Sequence, residues 1–149
     1  MVTFYLISLS VLLSLPVPIA SSLQTAFLQD SPALLGELLT TDGSIPVSLP
    51  EPMTLADQLS PDQARLVFER VFATYKTTEF TTEAQPSSLP GTPGLILKAR
   101  WSFRNKRTGV QYPLRPIFFF VVPVVPPPSS PPGGPVLIFK IVEIRSERQ

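Results

Sequence analysis

The chain contains no cysteine and no histidine. Without cysteine there is no disulfide scaffold, no thiolate zinc site, no iron–sulfur cluster and no thiol nucleophile. A lipid anchor attached to a cysteine at the end of a leader is excluded with them. Without histidine, the commonest general base and the commonest metal ligand are both missing. Few classes of enzyme survive both absences, and no cofactor is expected. Charge is also scarce, at 15% of residues against 44% apolar, which is enough apolar side chain to bury a core and too much for a disordered chain. With 149 residues the length allows one domain. The 19 prolines cluster mainly in three stretches, Pro46–Pro61, Pro86–Pro93 and Pro123–Pro135. They punctuate the chain at its connections.

The first charged side chain is Asp30, and Val2–Ala20 is an uncharged apolar run broken near its end by Pro16 and Pro18. Ala20 and Ser22 satisfy the small-residue rule for cleavage before Leu23. Residues 1–22 are therefore expected to be a signal peptide and residues 23–149 a single exported domain, in the periplasm or at the cell surface. No Lys or Arg precedes the run, so only the N-terminal amine supplies positive charge there. The run is close to the roughly 20 residues that a membrane span requires. An uncleaved anchor tethering the protein to the membrane is the alternative.

Beyond the leader, a short helical piece is expected over Leu23–Gln29. Ser31 then caps a second helix that starts at Pro32 and runs to about Thr40, with Leu34, Leu35, Leu38 and Leu39 as its apolar face. Asp42-Gly43 makes a turn. Ile45, Val47 and Leu49 alternate with Pro46, Ser48 and Pro50, a short strand whose prolines suit a sheet edge. Ser60-Pro61-Asp62-Gln63 is the clearest local signal, a capping box in which Ser60 caps and Gln63 reaches back. Ala64, Val67, Phe68, Val71, Phe72 and Tyr75 follow at helical spacing and form one stripe. The period then changes from helix to strand. Thr78–Ala84 reads as a strand. Leu95, Leu97, Ala99, Trp101 and Phe103 alternate with Ile96, Lys98, Arg100, Ser102 and Arg104, the pattern of a half-buried antiparallel strand. Asn105–Gly109 is a turn, Gln111–Val122 a second long strand, Val124–Pro135 a loop, and Val136–Arg145 the last strand. Phe68, Val71, Phe72, Trp101 and Phe103 are expected to share one core.

This order of elements resembles the nuclear transport factor 2-like superfamily, and in particular its small secreted bacterial domains of unknown function. The resemblance is carried by Ala26-Phe27-Leu28-Gln29-Asp30-Ser31-Pro32-Ala33-Leu34-Leu35, by Ile45–Pro50, and by Leu59-Ser60-Pro61-Asp62-Gln63-Ala64 with Val71-Phe72. Ala99-Arg100-Trp101-Ser102-Phe103 and the closing Ile141-Val142-Glu143-Ile144-Arg145 complete it. It implies an α+β cone, with N-terminal helices packed on a curved, mainly antiparallel sheet. Isomerase-like members of the superfamily use an Asp base in the cone, with a Tyr and a protonated Asp holding the oxyanion. Dehydratase-like members rely on histidine. Past the leader this chain offers only Tyr75 and Tyr112, and its aspartates are Asp30, Asp42, Asp57 and Asp62. All four aspartates read as caps or connections. The domain is accordingly expected to be non-catalytic, a ligand- or protein-binding module of the envelope. A small isomerase- or dehydratase-like enzyme and a membrane-tethered structural protein are the alternatives.

Formal net charge is only +1, but the charges are segregated. Ala84–Val142 holds no acidic residue, while Lys98, Arg100, Arg104, Lys106, Arg107, Arg115 and Lys140 all fall within it. Leu23–Glu83 is acidic on balance. Such cations usually belong to a solvated face and a charged turn. The functional reading is a surface formed by Lys98, Arg100, Arg104, Lys106, Arg107 and Arg115 for an anionic envelope component. A homodimer through the sheet is a second expectation for partners, and no nucleic acid is expected, since no reading motif is present. If the leader is cleaved as expected, the intact mass of the exported protein will correspond to a chain starting at Leu23. A mass that retains Met1–Ser22 contradicts the leader assignment.

Overall fold

The computed structural model describes residues 17–86, 94–121 and 139–147. Most of the expected leader, the proline cluster before Pro93 and the loop over Val124–Pro135 lie outside them. The elements in order are α1 (Val17–Leu28), α2 (Pro32–Leu38), β1 (Ile45–Leu49), β2 (Leu55–Leu59), α3 (Pro61–Thr74), β3 (Tyr75–Pro86), β4 (Gly94–Asn105), β5 (Gln111–Leu114), β6 (Pro116–Val121) and β7 (Lys140–Ser146). Helix α1 starts earlier than the expected Leu23 and is continuous across the Ser22–Leu23 bond.

Leu23, Ala26 and Phe27 are spaced to fall on one side of α1, and all three are buried. The helix ends at a residue in the left-handed region, Asp30 with φ 48°. The Ser31 N–H donates to the Ala26 carbonyl at 2.8 Å and the Asp30 N–H to the Phe27 carbonyl at 3.0 Å, which together form a Schellman motif. Aspartate is among the non-glycine residues that enter this region most readily, and here its carboxylate is held from β3. The Asp30 carboxylate accepts from the Thr77 N–H at 3.1 Å and from Lys76 Nζ at 3.0 Å, tying the turn to β3.

Ser31 then caps α2 as expected, its hydroxyl accepting from the Leu34 N–H. The helix stops at Leu38, short of Thr40, because Leu39 is already extended and bridges to Ile141. Gly36 lets α2 approach α3 closely: a Cβ there would lie 3.1 Å from Arg65 Cδ. In α3 the capping box is complete, with Ser60 accepting from the Gln63 N–H and Gln63 Oε1 accepting from the Ser60 N–H. Ala64, Phe68, Val71 and Phe72 are buried along its inner side.

One seven-stranded sheet runs in the order β2-β1-β7-β6-β4-β3, with β5 also pairing β4. It is mainly antiparallel, and the β1–β7 pair is parallel. The helices pack against this curved sheet, giving the expected α+β cone. The edge assignment of β1 is corrected, because β1 lies between β2 and β7. Pro46 is harmless there, since pairing with β7 begins one residue later at Val47. The edge next to β1 is β2, which contains Asp57, so Asp57 sits in a strand rather than in a connection. The second long strand is interrupted at Arg115 between Pro113 and Pro116. Its two pieces, β5 and β6, still pair with β4 in one continuous register.

The core is a single cluster that contains all five of the residues expected to meet. Phe27 is its hub. Its ring stacks on Phe80 at 4.3 Å between centroids and meets Trp101, Phe72, Phe118 and Phe68 edge-on at 5.0, 5.4, 5.6 and 6.0 Å. Truncating Phe27 to Ala should cost about 3–5 kcal/mol, because it removes contacts to α3 and to three strands at once. Denaturant melts check this, and an unchanged midpoint would show that the ring is not the hub.

Candidate functional site

Among the described residues the interior of the cone is apolar, with aromatic rings packed around Phe27 between helices and sheet. Among the described residues the only buried polar side chains are Thr40 and Thr77. Thr77 Oγ1 accepts from Trp101 Nε1 at 3.0 Å, so the indole N–H has its partner. No buried side-chain nitrogen or oxygen is left without one among the described residues. The Asp30 side chain is only 10% exposed, and the Thr77 N–H and Lys76 already hold its carboxylate. Tyr75 and Tyr112 do not flank it; their rings pack against Phe103 and each other. An aspartate base with an oxyanion partner inside the cone therefore has no counterpart among the described residues.

The opposite face of the sheet is polar. Along β4, Leu97, Ala99, Trp101 and Phe103 are buried, and the intervening Lys98, Arg100, Ser102 and Arg104 point away from the helices. The six cations expected to form one surface divide into two kinds. Lys106 is engaged by α3: its Nζ donates to the Phe72 carbonyl at 2.8 Å and its N–H to the Thr74 carbonyl. It thereby neutralises the C-terminal end of α3, where unpaired carbonyls carry partial negative charge. Lys140 does the same for α2 through the Glu37 carbonyl. Lys98 stays on the face and pairs with Glu147 at 3.7 Å. Arg100, Arg104, Arg107 and Arg115 have no ion-pair partner among the described residues.

Register decides which of these meet. Lys98 lies opposite Ile117 and Trp101 opposite Leu114, so Arg115 stands level with Arg100 across the interruption. Lys98, Arg100, Arg115, Thr81, Glu83 and Glu147 line an open cleft of about 400 Å³. A second cleft of about 590 Å³ shares Arg100 and Arg115 and reaches Glu79 and Ser102. Arg104 and Arg107 lie apart, at the β4–β5 turn, where the Asn105 side chain accepts from the N–H groups of Arg107 and Thr108. On the far side of the cleft Ile117 and Phe119 are half-buried, and the Arg145 guanidinium sits 4.6 Å over the Phe119 ring. Glu147 is the site residue that sequence reasoning missed. It is remote from Lys98 in sequence and becomes a neighbour only because β7 runs antiparallel to β6. Its signal would have been that register.

No protein-family model matches the chain, and no curated protein matches it. Solved structures do. A ketosteroid isomerase-like protein from Erwinia carotovora atroseptica aligns over 87% of this chain and 88% of its own, with a TM-score of 0.58 and 18% identity. A DUF4783 family protein from Bacteroides uniformis aligns over 87% and 95%, with a TM-score of 0.58 and 12% identity. An NTF2-like protein of unknown function in nutrient uptake from Rhodospirillum rubrum aligns over 88% and 95%, with a TM-score of 0.56 and 12% identity. At these identities the likeness is one of fold, and the fold is nuclear transport factor 2-like. It is shared by isomerase-like proteins and by domains of unknown function, so it does not choose between catalysis and binding.

The division among the cations has a measurable consequence. Lys106→Met should lower stability by about 1–2 kcal/mol, because a charged donor is lost from the end of α3. Arg100→Gln and Arg107→Gln should stay within about 0.5 kcal/mol of the parent. Equal losses at all three positions in urea melts would contradict the division.

Proposed function

We propose that the protein is a non-catalytic binding module of the exported envelope type, and that it recognises an anionic partner through the outer face of its sheet. The observation that carries this reading is the filled cone. Phe27 and the aromatic rings around it occupy the space between helices and sheet, where a catalytic carboxylate and its substrate would have to meet. Arg100, Arg104 and Arg115 are on the other side and Arg107 is in the adjoining turn, all open to solvent and without an ion-pair partner among the described residues. Guanidinium groups suit oxyanions because they offer paired donors in a fixed plane.

A second copy of the chain is the other reading of the same face. Ile117 and Phe119 supply a small apolar centre, and Glu79 and Glu83 on β3 could meet the arginines of a two-fold mate. Dimerisation would bury the face that the first reading leaves open.

Binding to dextran sulfate, a polyanion with no sequence of its own, tests the first reading. Affinity should fall steeply with salt, because exposed charges are screened within roughly 10 Å at 0.1 M. Replacing Arg100, Arg107 and Arg115 together with Gln should abolish binding and leave the thermal melt unchanged. Binding that persists in the triple variant contradicts the anionic-partner reading. Sedimentation showing a dimer that the same substitutions dissociate would favour the second copy.

A further inference from the structure

The clearest feature of the outer face is that its cleft already holds a carboxylate. Glu147 lines the cleft beside Arg100 and Arg115, and its carboxylate pairs with Lys98 at 3.7 Å. Both partners are well exposed, the Lys98 side chain at 38% and that of Glu147 at 42%. The pair is loose, and an exposed pair of this kind is easily displaced. The Glu147 main chain is engaged as well. Its N–H donates to the Arg115 carbonyl at 2.8 Å, and the neighbouring Ser146 hydroxyl reaches the same carbonyl at 3.4 Å. A short extended stretch of peptide thus lies along the interruption between β5 and β6, fixed by one backbone hydrogen bond and one carboxylate.

We infer that this cleft is a binding site for an extended acidic peptide, and that Glu147 is its built-in, weakly held occupant. The inference rests on the anionic-partner reading and narrows it to one class of ligand. Two further observations support a peptide. Arg115, in the break between β5 and β6, stands level with Arg100 on β4, and adjoining strands are about 4.8 Å apart in a sheet. Like charges at that spacing repel and gain from an oxyanion held between them. Glu147 satisfies Lys98 and leaves both arginines for a second carboxylate. The acids around the cations also matter. Glu79 and Glu83 line the clefts on the β3 side. A continuous anionic surface such as a bilayer would be repelled by them. A single chain with spaced carboxylates can thread past.

Titration of the full chain with a poly-glutamate peptide at low salt tests this. Glu147→Gln removes the internal competitor and should tighten binding by roughly two- to fivefold, the range that an exposed ion pair allows. The double substitution Arg100→Gln with Arg115→Gln should lose most of the affinity. A circular-dichroism melt of each variant that matches the parent excludes a change in fold as the cause. If Glu147→Gln binds poly-glutamate no more tightly than the parent, the inference is overturned. It is overturned equally if vesicles containing phosphatidylglycerol bind more tightly than poly-glutamate at matched charge. Dextran sulfate separates the two levels of the argument. When its binding still depends on the arginines but Glu147→Gln has no effect on poly-glutamate, the peptide assignment fails and the wider anionic reading stands. When the arginine substitutions affect neither probe, both fail.

Discussion

Burial of the Phe27 ring is the interaction on which the rest of the structure depends. The side chain comes from the last turn of α1 and touches two residues of α3 and one each of β3, β4 and β6. A ring in that position does two things. It joins helices that share little contact otherwise to a sheet whose inner face is apolar. It also sets a cluster of aromatic rings between the helices and the sheet. The turn that follows is built to hold the ring there. Asp30 adopts a left-handed conformation, closes the Schellman motif, and fastens the end of α1 to the start of β3. The interior is specified by packing, and among the described residues its buried polar side chains are Thr77, which accepts from Trp101, and Thr40, which accepts from the Asp42 N–H.

Strand alternation links that filled interior to the charged exterior. Every buried residue of β4 has a neighbour facing solvent, so the strand that supplies Trp101 and Phe103 to the core also carries Lys98, Arg100 and Arg104. The two cation types are used differently. Lys76, Lys106 and Lys140 bind Asp30 or the carbonyls at helix ends, where a compact ammonium on a flexible stem reaches a point of negative charge. Arg100, Arg104, Arg107 and Arg115 stay on the surface without an acid paired to them among the described residues. The sequence-level segregation of charge therefore overstates the basic surface. Two of the lysines in the acid-free segment, Lys106 and Lys140, are spent on stabilising the fold.

Much of the fold was legible because local signals and global packing agree. The capping box at Ser60 and the stripe behind it defined α3, and the alternation from Leu95 to Phe103 defined β4 and its two faces. The misreadings have physical causes. Pro46 looked like an edge residue because it lacks an N–H, yet the ladder with β7 begins at Val47 and never needs that donor. The strand Leu55–Leu59 went unseen because it is short and its middle, Ala56-Asp57-Gln58, is exposed at a true edge. Gln111–Val122 read as one strand, and the two prolines around Arg115 divide it. For the site, the arginines were visible as charges, but their cleft was not. It exists because β5 and β6 keep one register across the break and because β7 delivers Glu147 beside Lys98. Neither pairing is encoded locally. The helix-capping roles of Lys106 and Lys140 were hidden for the same reason, since the carbonyls they bind are distant in sequence.

The central claim is that the inside of the cone is closed and that recognition takes place on the outer face of the sheet. Mapping backbone amide chemical-shift changes during titration with a polyanion tests it most directly. The account predicts changes concentrated at Lys98, Arg100, Ser102, Arg115 and Glu147, with Phe27, Phe68 and Phe118 unaffected. Changes concentrated at Phe27, Phe68, Phe80 and Phe118 would show that the core opens to admit a ligand, and would contradict it.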